Sequence, residues 1–211
     1  MYKLVVLVSG GGTNLQAVIS QIADGKLPGI KIAGVLASKP DIGACKRAQD
    51  AQLPCAVLSR NDYKNIREYD RAMLQIIEPW QPDLVVLAGF LSLIGPEVIS
   101  RYDKRIINIH PSLIPSFCGT GLYGLRVHQA ALEYGVKLTG ATVHLVDEAY
   151  DQGPIVLQKA VDVKPDDTPQ TLQQRVMVEA EQQILPEAIR LFASDRISLK
   201  GRTVHIREAL K

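Results

Sequence analysis

The sequence lacks the features that mark membrane, disulfide-rich and nucleic-acid-binding proteins. Its longest apolar stretch, Leu84 to Gly95, is interrupted by Gly and Ser and is shorter than the roughly 20 residues that a membrane span requires. Its 3 cysteines are an odd number and include no CxxC pair, so the sequence suggests neither a disulfide framework nor a cysteine zinc site. The 24 Lys and Arg residues nearly balance the 22 Asp and Glu residues, which leaves a formal charge of +2. We therefore expect a cytoplasmic protein with no membrane and no nucleic-acid partner.

The length of 211 residues is sufficient for a hydrophobic core in one globular unit. A chain of this size buries roughly 70% of the surface that it exposes when unfolded. No repeat, low-complexity tract or linker divides the sequence. We therefore predict a single domain over residues 1–211.

The order of apolar runs and helical patterns predicts an α/β fold. Apolar, β-branched runs typical of buried strands occur at Leu4 to Val8, Ile32 to Ala37, Cys55 to Leu58, Leu84 to Ala88 and Arg105 to Ile109. Helical spacing between the first four runs predicts helices around Leu15 to Ile22, Gly43 to Ala51 and Asp62 to Glu78. Because strands that alternate with helices pair in parallel, we expect a single open, mostly parallel sheet with helices on both faces.

The second half of the sequence departs from this alternation. A loop rich in Gly, Pro and Ser from Pro111 to Gly124 precedes a helix that carries His128. Thr139 to Val146 and Ile155 to Val163 follow with no helix between them, which predicts late antiparallel strands. A final helix is predicted from about Thr168 to Phe192, tolerating or kinking at Pro186.

A glycine-rich turn, Ser9 to Asn14 (SGGGTN), lies between the first strand and the first helix. Glycines allow a ligand to approach the backbone closely, and the N–H groups at a helix N-terminus favour an anion such as phosphate. The turn matches neither the dinucleotide fingerprint nor the Walker pattern. It is therefore either a phosphate-binding loop or a tight turn with Thr13 or Asn14 as the helix cap.

Asn108 and His110 lie at the end of the fifth predicted strand. Alternation places both side chains on the same face, toward the crevice where open parallel sheets bind ligands. An amide donor beside a titratable imidazole suits oxyanion stabilisation and proton transfer at a carbonyl. The alternative is a structural, hydrogen-bonded histidine.

The loop Asp147 to Pro154 (DEAYDQGP) joins the two late strands. It is either a solvated hairpin connection or the source of a carboxylate that approaches His110 and holds it as a cation. His128, His144 and His205 carry less weight, and no HxH or HExxH spacing suggests a metal site.

Taken together, four motifs resemble those of the phosphoribosylglycinamide formyltransferases (glycinamide ribonucleotide transformylases), a family of folate-dependent formyltransferases with a Rossmann-like fold. The motifs are SGGGTN, LAGFLSLI, NIHPSLIPSF and DEAYDQGPI, and the resemblance extends from about Lys3 to Phe192. It implies a single formyltransferase domain that acts in purine (IMP) biosynthesis.

The resemblance also implies a role for each matching residue. Asn108, His110 and Asp151 match the catalytic set. The substrate-binding residues are implied to be Gly12, Thr13 and Asn14 on the phosphate and Glu181 on the ribose. The residues implied to contact the folate cosubstrate are Arg67 (aligned with a one-residue gap), Leu91, Ser92, Leu93, Ile94, Asn108, Asp147, Glu148, Ala149, Tyr150 and Asp151. The segment Ser116 to Val127 is longer than the loop of many relatives, so contacts there are not transferred.

The reaction implied is formyl transfer from 10-formyltetrahydrofolate to the amine of glycinamide ribonucleotide, with no metal. Asn108 and a protonated His110 would stabilise the oxyanion, Asp151 would keep His110 charged, and water or His110 would remove the amine proton.

Formyltetrahydrofolate deformylase and methionyl-tRNA formyltransferase are expected to carry additional domains, so the length disfavours both. A non-catalytic nucleotide-binding domain is disfavoured by the presence of all three catalytic matches. The sequence leaves open a monomer or a homodimer.

Overall fold

A computed structural model describes residues 1–208. The Cα positions divide the chain into two compact units, and the division falls after Ile107, within the fifth strand. Seven strands form one sheet in the order β3-β2-β1-β4-β5-β6-β7, and β8 and β9 form a separate pair. The predicted fold class, a mostly parallel sheet with late antiparallel strands, is confirmed. The prediction of one domain stays a prediction.

The first unit alternates strands and helices as the sequence predicts. Its strands are β1 (Tyr2–Val8), β2 (Ile30–Ala37), β3 (Cys55–Val57), β4 (Leu84–Leu87) and the start of β5 (Ile106–His110). Its helices are α1 (Thr13–Ala23), α2 (Gly43–Asp50), α3 (Ile66–Ile77) and α4 (Pro96–Arg101). Strand β1 pairs in parallel with β2 and β4, and β2 with β3. Residues Leu4–Val8 are at most 1% exposed, and each such side chain contributes about 1.5–3 kcal/mol to the core.

Helix α3 begins later than the predicted Asp62, because Asn65 caps it. The Asn65 Oδ1 accepts the backbone N–H of Glu68 at 3.0 Å, and Glu68 Oε1 accepts from the Asn65 amide at 2.9 Å. The first bond satisfies one of the backbone N–H groups that the start of a helix leaves without intrahelical partners, and the second holds the Asn65 side chain in place. The residues from Arg60 to Asp62 form a separate 3₁₀ turn. The short helix α4 was not predicted from the sequence.

The second unit contains α5 (Leu125–Tyr134), β6 (Leu138–Leu145), β7 (Ile155–Asp162), α6 (Pro169–Val176), α7 (Gln182–Ala193), β8 (Ile197–Lys200) and β9 (Thr203–Ile206). Strands β6 and β7 are antiparallel, as predicted. The predicted helix from Thr168 to Phe192 is interrupted by a π segment, Met177–Glu181. The irregularity lies upstream of Pro186, which is accommodated within α7. The extra residue of a π turn rotates the side chains that follow it about the helix axis, and Glu181, the last of the segment, is buried.

Candidate active site

Strand β5 carries Asn108 and His110 on alternate positions, so both side chains lie on one face. The His110 side chain is almost fully buried. Its Nδ1 lies 3.6 Å from the Asp151 Oδ2, and the Asn108 Nδ2 donates to the Asp151 Oδ1 at 3.4 Å. The structure therefore brings together the three residues matched to the catalytic set, Asn108, His110 and Asp151.

Asp151 reaches this cluster from the loop between β6 and β7. Its backbone φ of 54° lies in the left-handed region, a conformation that only a few per cent of non-glycine residues adopt. The carboxylate is buried rather than solvated, and its Oδ2 accepts the Gly119 N–H at 3.1 Å. The alternative interpretation of the loop as a wholly solvated connection is therefore wrong for Asp151.

The protonation of His110 follows from its two ring nitrogens. The Nε2 lies 3.0 Å from the Phe117 carbonyl oxygen, and a carbonyl only accepts, so Nε2 carries a proton. In the neutral ring Nδ1 then presents its lone pair to Asp151. Burial lowers the pKa of His110, while the Phe117 carbonyl and Asp151 act in the opposite direction without reversing the shift. The expectation that Asp151 holds His110 as a cation is therefore wrong for this structure, because desolvation is the larger effect.

Asp151 is ionised in the same cluster. Burial acts to raise its pKa, but the His144 and His110 rings and the Gly119 N–H outweigh burial, so the pKa of Asp151 lies below its ordinary value. An ionised carboxylate 3.6 Å from the imidazole offsets part of the cost that burial imposes on protonating it. The pair is thus arranged to stabilise a proton that arrives during a reaction.

His144 joins this cluster, although the sequence analysis gave it little weight. Its Nδ1 lies 2.8 Å from the Leu145 carbonyl oxygen, and its Nε2 lies 3.0 Å from the Asn108 Nδ2 and 3.6 Å from the Asp151 Oδ1. Because the carbonyl only accepts, Nδ1 carries the proton in the neutral ring and Nε2 accepts from Asn108. His144 thereby fixes the orientation of the Asn108 amide. The sequence signal that could have identified His144 is its position in an otherwise apolar strand, because a buried imidazole requires hydrogen-bond partners.

The loop after His110 is tied down by buried polar groups. The Thr142 Oγ1 donates to the Ser112 carbonyl at 2.6 Å and accepts the Ile114 N–H at 3.1 Å. The Gln158 amide donates to the Ile114 carbonyl at 2.9 Å. These bonds run from the β6–β7 pair to the loop, and they hold the chain that presents the Phe117 carbonyl to His110.

The glycine-rich turn lies in the first unit, between β1 and α1. Gly12 is the N-cap of α1 with φ 75°, and no side chain caps the helix. Thr13 and Asn14 are therefore the first helical residues, and the interpretation of either as the cap is wrong. A Cβ at Gly12 would lie 2.8 Å from the Ala44 Cα, so glycine is required both by conformation and by the packing of α2.

Arg47 also supports this turn. Its Nε donates to the Gly11 carbonyl at 2.8 Å, and its Nη1 donates to the Gln16 Oε1 at 3.0 Å. These bonds turn the Gly11 carbonyl toward α2 and place a positive charge beside the start of α1. Uncapped N–H groups with a nearby guanidinium form an arrangement suited to an anion.

The segment after β4 is the second feature of the first unit. The side chains of Leu91 and Leu93 are 50% and 54% exposed, whereas that of Ile94 is buried. The Leu91 N–H donates to the Ser9 Oγ at 2.8 Å, and the Asp70 Oδ1 accepts the Gly95 N–H at 2.9 Å. The segment therefore has apolar surface and an anchored backbone, which suits a flat ring with polar edges.

The other residues assigned to the folate lie in α3, after β4 and in the β6–β7 loop. Arg67 is exposed in the first turn of α3, and Ser92 is half-buried. In the β6–β7 loop, the Asp147 Oδ1 accepts the Ala149 N–H at 3.0 Å, and Glu148, Ala149 and Tyr150 are exposed. Their assigned contacts stay predictions.

Within residues 1–208, no group of three or more His, Cys, Asp or Glu side chains is placed to hold a metal ion. No helix in that same range is long and apolar enough to cross a membrane.

The sequence matches the Formyl transferase family over residues 2–189. It is 39% identical over 206 residues to the phosphoribosylglycinamide formyltransferase of Haemophilus influenzae, covering 98% of this chain and 94% of that protein. It is 38% identical over 208 residues to the human trifunctional purine biosynthetic protein adenosine-3, covering 98% of this chain but 20% of the human protein. The crystal structure of glycinamide ribonucleotide transformylase 1 from Symbiobacterium toebii superposes with a TM-score of 0.92 at 38% identity, covering 99% of this chain and 95% of that chain.

Proposed function

We infer that this chain, which belongs to the formyl transferase family, transfers the formyl group of 10-formyltetrahydrofolate to the amine of glycinamide ribonucleotide. The products are N-formylglycinamide ribonucleotide and tetrahydrofolate, and the reaction belongs to de novo purine biosynthesis in the cytoplasm. The observation that carries this proposal is the buried contact of Asp151 with both Asn108 and His110, in a chain that matches named transformylases over nearly its full length.

The first step forms a bond between the substrate amine and the formyl carbon, and the carbonyl electrons move to the oxygen. Asn108 is the amide that we assign to this oxyanion: one of its N–H groups is held by His144, and the other exchanges its longer 3.4 Å contact with Asp151 for the oxyanion. The amine loses a proton as the tetrahedral species forms. His110, neutral because burial lowers its pKa, accepts that proton directly or through water, and Asp151 stabilises the resulting imidazolium.

The second step breaks the bond between the former formyl carbon and N10 of the folate. The oxyanion electrons return to form the new amide carbonyl, and the His110 proton passes to N10, so the imidazole returns to its neutral state. His110 thus starts neutral, becomes charged during the reaction and ends neutral. This cycle suits an imidazole whose pKa is lowered by burial while a carboxylate lies 3.6 Å away.

The two substrates are assigned to two segments of the first unit. We place the ribonucleotide phosphate at Gly12, Thr13 and Asn14, because the N-terminus of α1 has no side-chain cap. The folate ring is assigned to Leu91 through Ile94, where exposed apolar side chains accompany an anchored backbone. The remaining folate and ribose contacts, at Arg67, at Asp147 to Asp151 and at Glu181, rest on the family resemblance.

The proposal is tested by incubating the purified protein with both substrates and detecting the formylated ribonucleotide by mass spectrometry. Omission of glycinamide ribonucleotide is the essential control. Product that requires both substrates supports the transformylase. Formate release at the same rate without the ribonucleotide would instead indicate a deformylase, and absence of all turnover would favour a binding domain.

A further inference from the structure

A buried serine links the two substrate segments of the first unit. Ser9 is the first residue after β1 and opens the glycine-rich turn, while Leu91 lies in the segment that follows β4. The Leu91 N–H donates to the Ser9 Oγ at 2.8 Å, and the Ser9 N–H donates to the Gly89 carbonyl at 3.0 Å. Ser9 thus forms hydrogen bonds with the segment after β4 through both its backbone and its side chain.

A second serine completes this contact. The Ser38 Oγ, at the end of β2, donates to the Ser9 Oγ at 2.8 Å. Ser9 and Ser38 are 6% and 8% exposed, so water competes poorly for these hydroxyls. A hydrogen bond shielded in this way is costly to break, because the Leu91 N–H would lose its acceptor.

The segment from Gly89 to Ile94 belongs to no helix or strand. Its backbone direction therefore depends on contacts at its two ends. Ser9 anchors the first end, and the Asp70 carboxylate anchors the second by accepting the N–H groups of Gly95 and Glu97 at 2.9 and 3.1 Å. Loss of Ser9 Oγ would release the end at which Leu91 lies.

Ser9 also controls the start of the glycine-rich turn. The three residues that follow are glycines, which have no side chains of their own to fix the loop. The Ser9 hydroxyl is thus the last side-chain anchor before Thr13. Its displacement would alter the direction in which the chain enters the N-terminus of α1.

We propose that Ser9 is a positioning residue for both substrates: its hydroxyl orients the Leu91 backbone toward the folate and its position sets the start of the phosphate loop. This inference rests on the proposed function, which assigns these two segments to the two substrates. It predicts that one small buried hydroxyl affects two binding affinities that would otherwise be independent.

The test compares Ser9→Ala, Ser9→Thr and Ser38→Ala, with the exposed Ser100→Ala as the matched control. Calorimetric titration measures the dissociation constants of glycinamide ribonucleotide and 10-formyltetrahydrofolate separately. We expect Ser9→Ala to weaken both by roughly tenfold, the size of effect expected when a buried N–H loses its partner. Ser38→Ala should produce a smaller loss of both, and Ser9→Thr, which keeps a hydroxyl, should partly restore both affinities.

Amide hydrogen exchange provides a readout that a general loss of stability would not imitate. Ser9→Ala should accelerate exchange at Leu91 much more than in the core strand β1. Unchanged affinities for both substrates, or loss of one alone, would overturn the proposal even if the melting temperature fell. If the unmodified protein bound neither substrate, the proposed function itself would fail, so the two failures are distinguishable.

Discussion

The imidazole of His110 is held between two acceptors: its Nε2 lies 3.0 Å from the Phe117 carbonyl oxygen and its Nδ1 lies 3.6 Å from the Asp151 carboxylate. The carbonyl determines which nitrogen is protonated in the neutral ring, and the carboxylate faces the nitrogen that gains a proton. Burial lowers the pKa of His110 while Asp151 acts to raise it. The ring is consequently neutral at rest, and Asp151 offsets part of the cost of burial when the ring becomes charged.

Replacement of Asp151 by Asn should remove the effect by which the carboxylate raises the pKa of His110. The variant keeps the size of the side chain but loses its charge, so the pKa of His110 should fall further and its cation should be less stable. We expect kcat to fall by at least ~100-fold, the lower range for proton transfer by a positioned side chain, with a much smaller change in substrate affinity. Steady-state kinetics and NMR titration of His110 measure the two effects.

The exposed Asp162 at the end of β7 provides the matched control for that experiment. Asp162→Asn changes the net charge equally but lies outside the buried cluster, so it should leave kcat close to that of the unmodified protein. An Asp151→Asn protein with near-normal turnover, or with an unchanged His110 pKa, would show that the carboxylate has no catalytic role.

His144 should affect catalysis through its hydrogen bond with the Asn108 amide. In the neutral ring its Nε2 accepts from the Asn108 amide while its Nδ1 donates to the Leu145 carbonyl. His144→Phe keeps an aromatic ring but removes the acceptor, so the amide of Asn108 becomes free to rotate. We expect kcat to fall by about tenfold to a hundredfold, because displacement of a catalytic group from its reactive position lowers the rate by factors of that order. Equal melting temperatures of the variant and the unmodified protein would exclude misfolding, and an unchanged kcat would refute the role.

The sequence was sufficient to predict most of the sheet. Strong apolar runs such as Leu4 to Val8 identify buried strands because their burial is nearly complete. The absence of a helix between Thr139 and Val163 correctly indicated the antiparallel pair. The hairpin of β8 and β9 was missed because each strand has only 4 residues and its side chains are exposed or half-buried, although apolar and polar residues alternate in both.

The candidate site was only partly accessible from the sequence. Motif order indicated Asn108, His110 and Asp151, but no spacing rule places a loop carboxylate against a strand histidine. The direction of the His110 pKa shift depends on the balance between burial and one charge, and burial is a property of the folded chain. The contribution of Ser9 likewise follows from the contact with Leu91, 82 residues away.

Gly12 is a site at which backbone conformation and packing act together. Gly12→Ala places a Cβ 2.8 Å from Ala44 and strains a left-handed residue, so the start of α1 should shift. Such strain costs about 1–3 kcal/mol, and the KM for glycinamide ribonucleotide should rise while that for the folate changes little. Gly10→Ala is the comparison for stability, since a Cβ there meets nothing within 4 Å. Equal losses for both substrates in Gly12→Ala would contradict the phosphate assignment.

The final prediction concerns His128, which lies on α5 and is 1% exposed. Among residues 1–208, neither of its ring nitrogens has a hydrogen-bond partner. Burial, reinforced by His110 when that ring is protonated, lowers the pKa of His128 from 6.5 to about 4. Because the folded state resists protonation of this ring, the unfolded chain binds the proton more readily. Stability from this residue is therefore complete above pH 6.5 and is lost as the pH falls toward 4.

A shift of this size corresponds to a loss of up to about 3 kcal/mol in the free energy of unfolding across that range. His128→Leu removes the titrating ring, favours the helix and leaves no unpaired nitrogen in the core. We expect the variant to be at least as stable at pH 7.5 and to lose distinctly less stability at pH 5, as measured by urea denaturation. His205→Gln, at an exposed position in β9, is the control and should follow the unmodified protein. If His128→Leu retained the full acid sensitivity, that sensitivity would have to arise from the cluster around His110 and Asp151 instead.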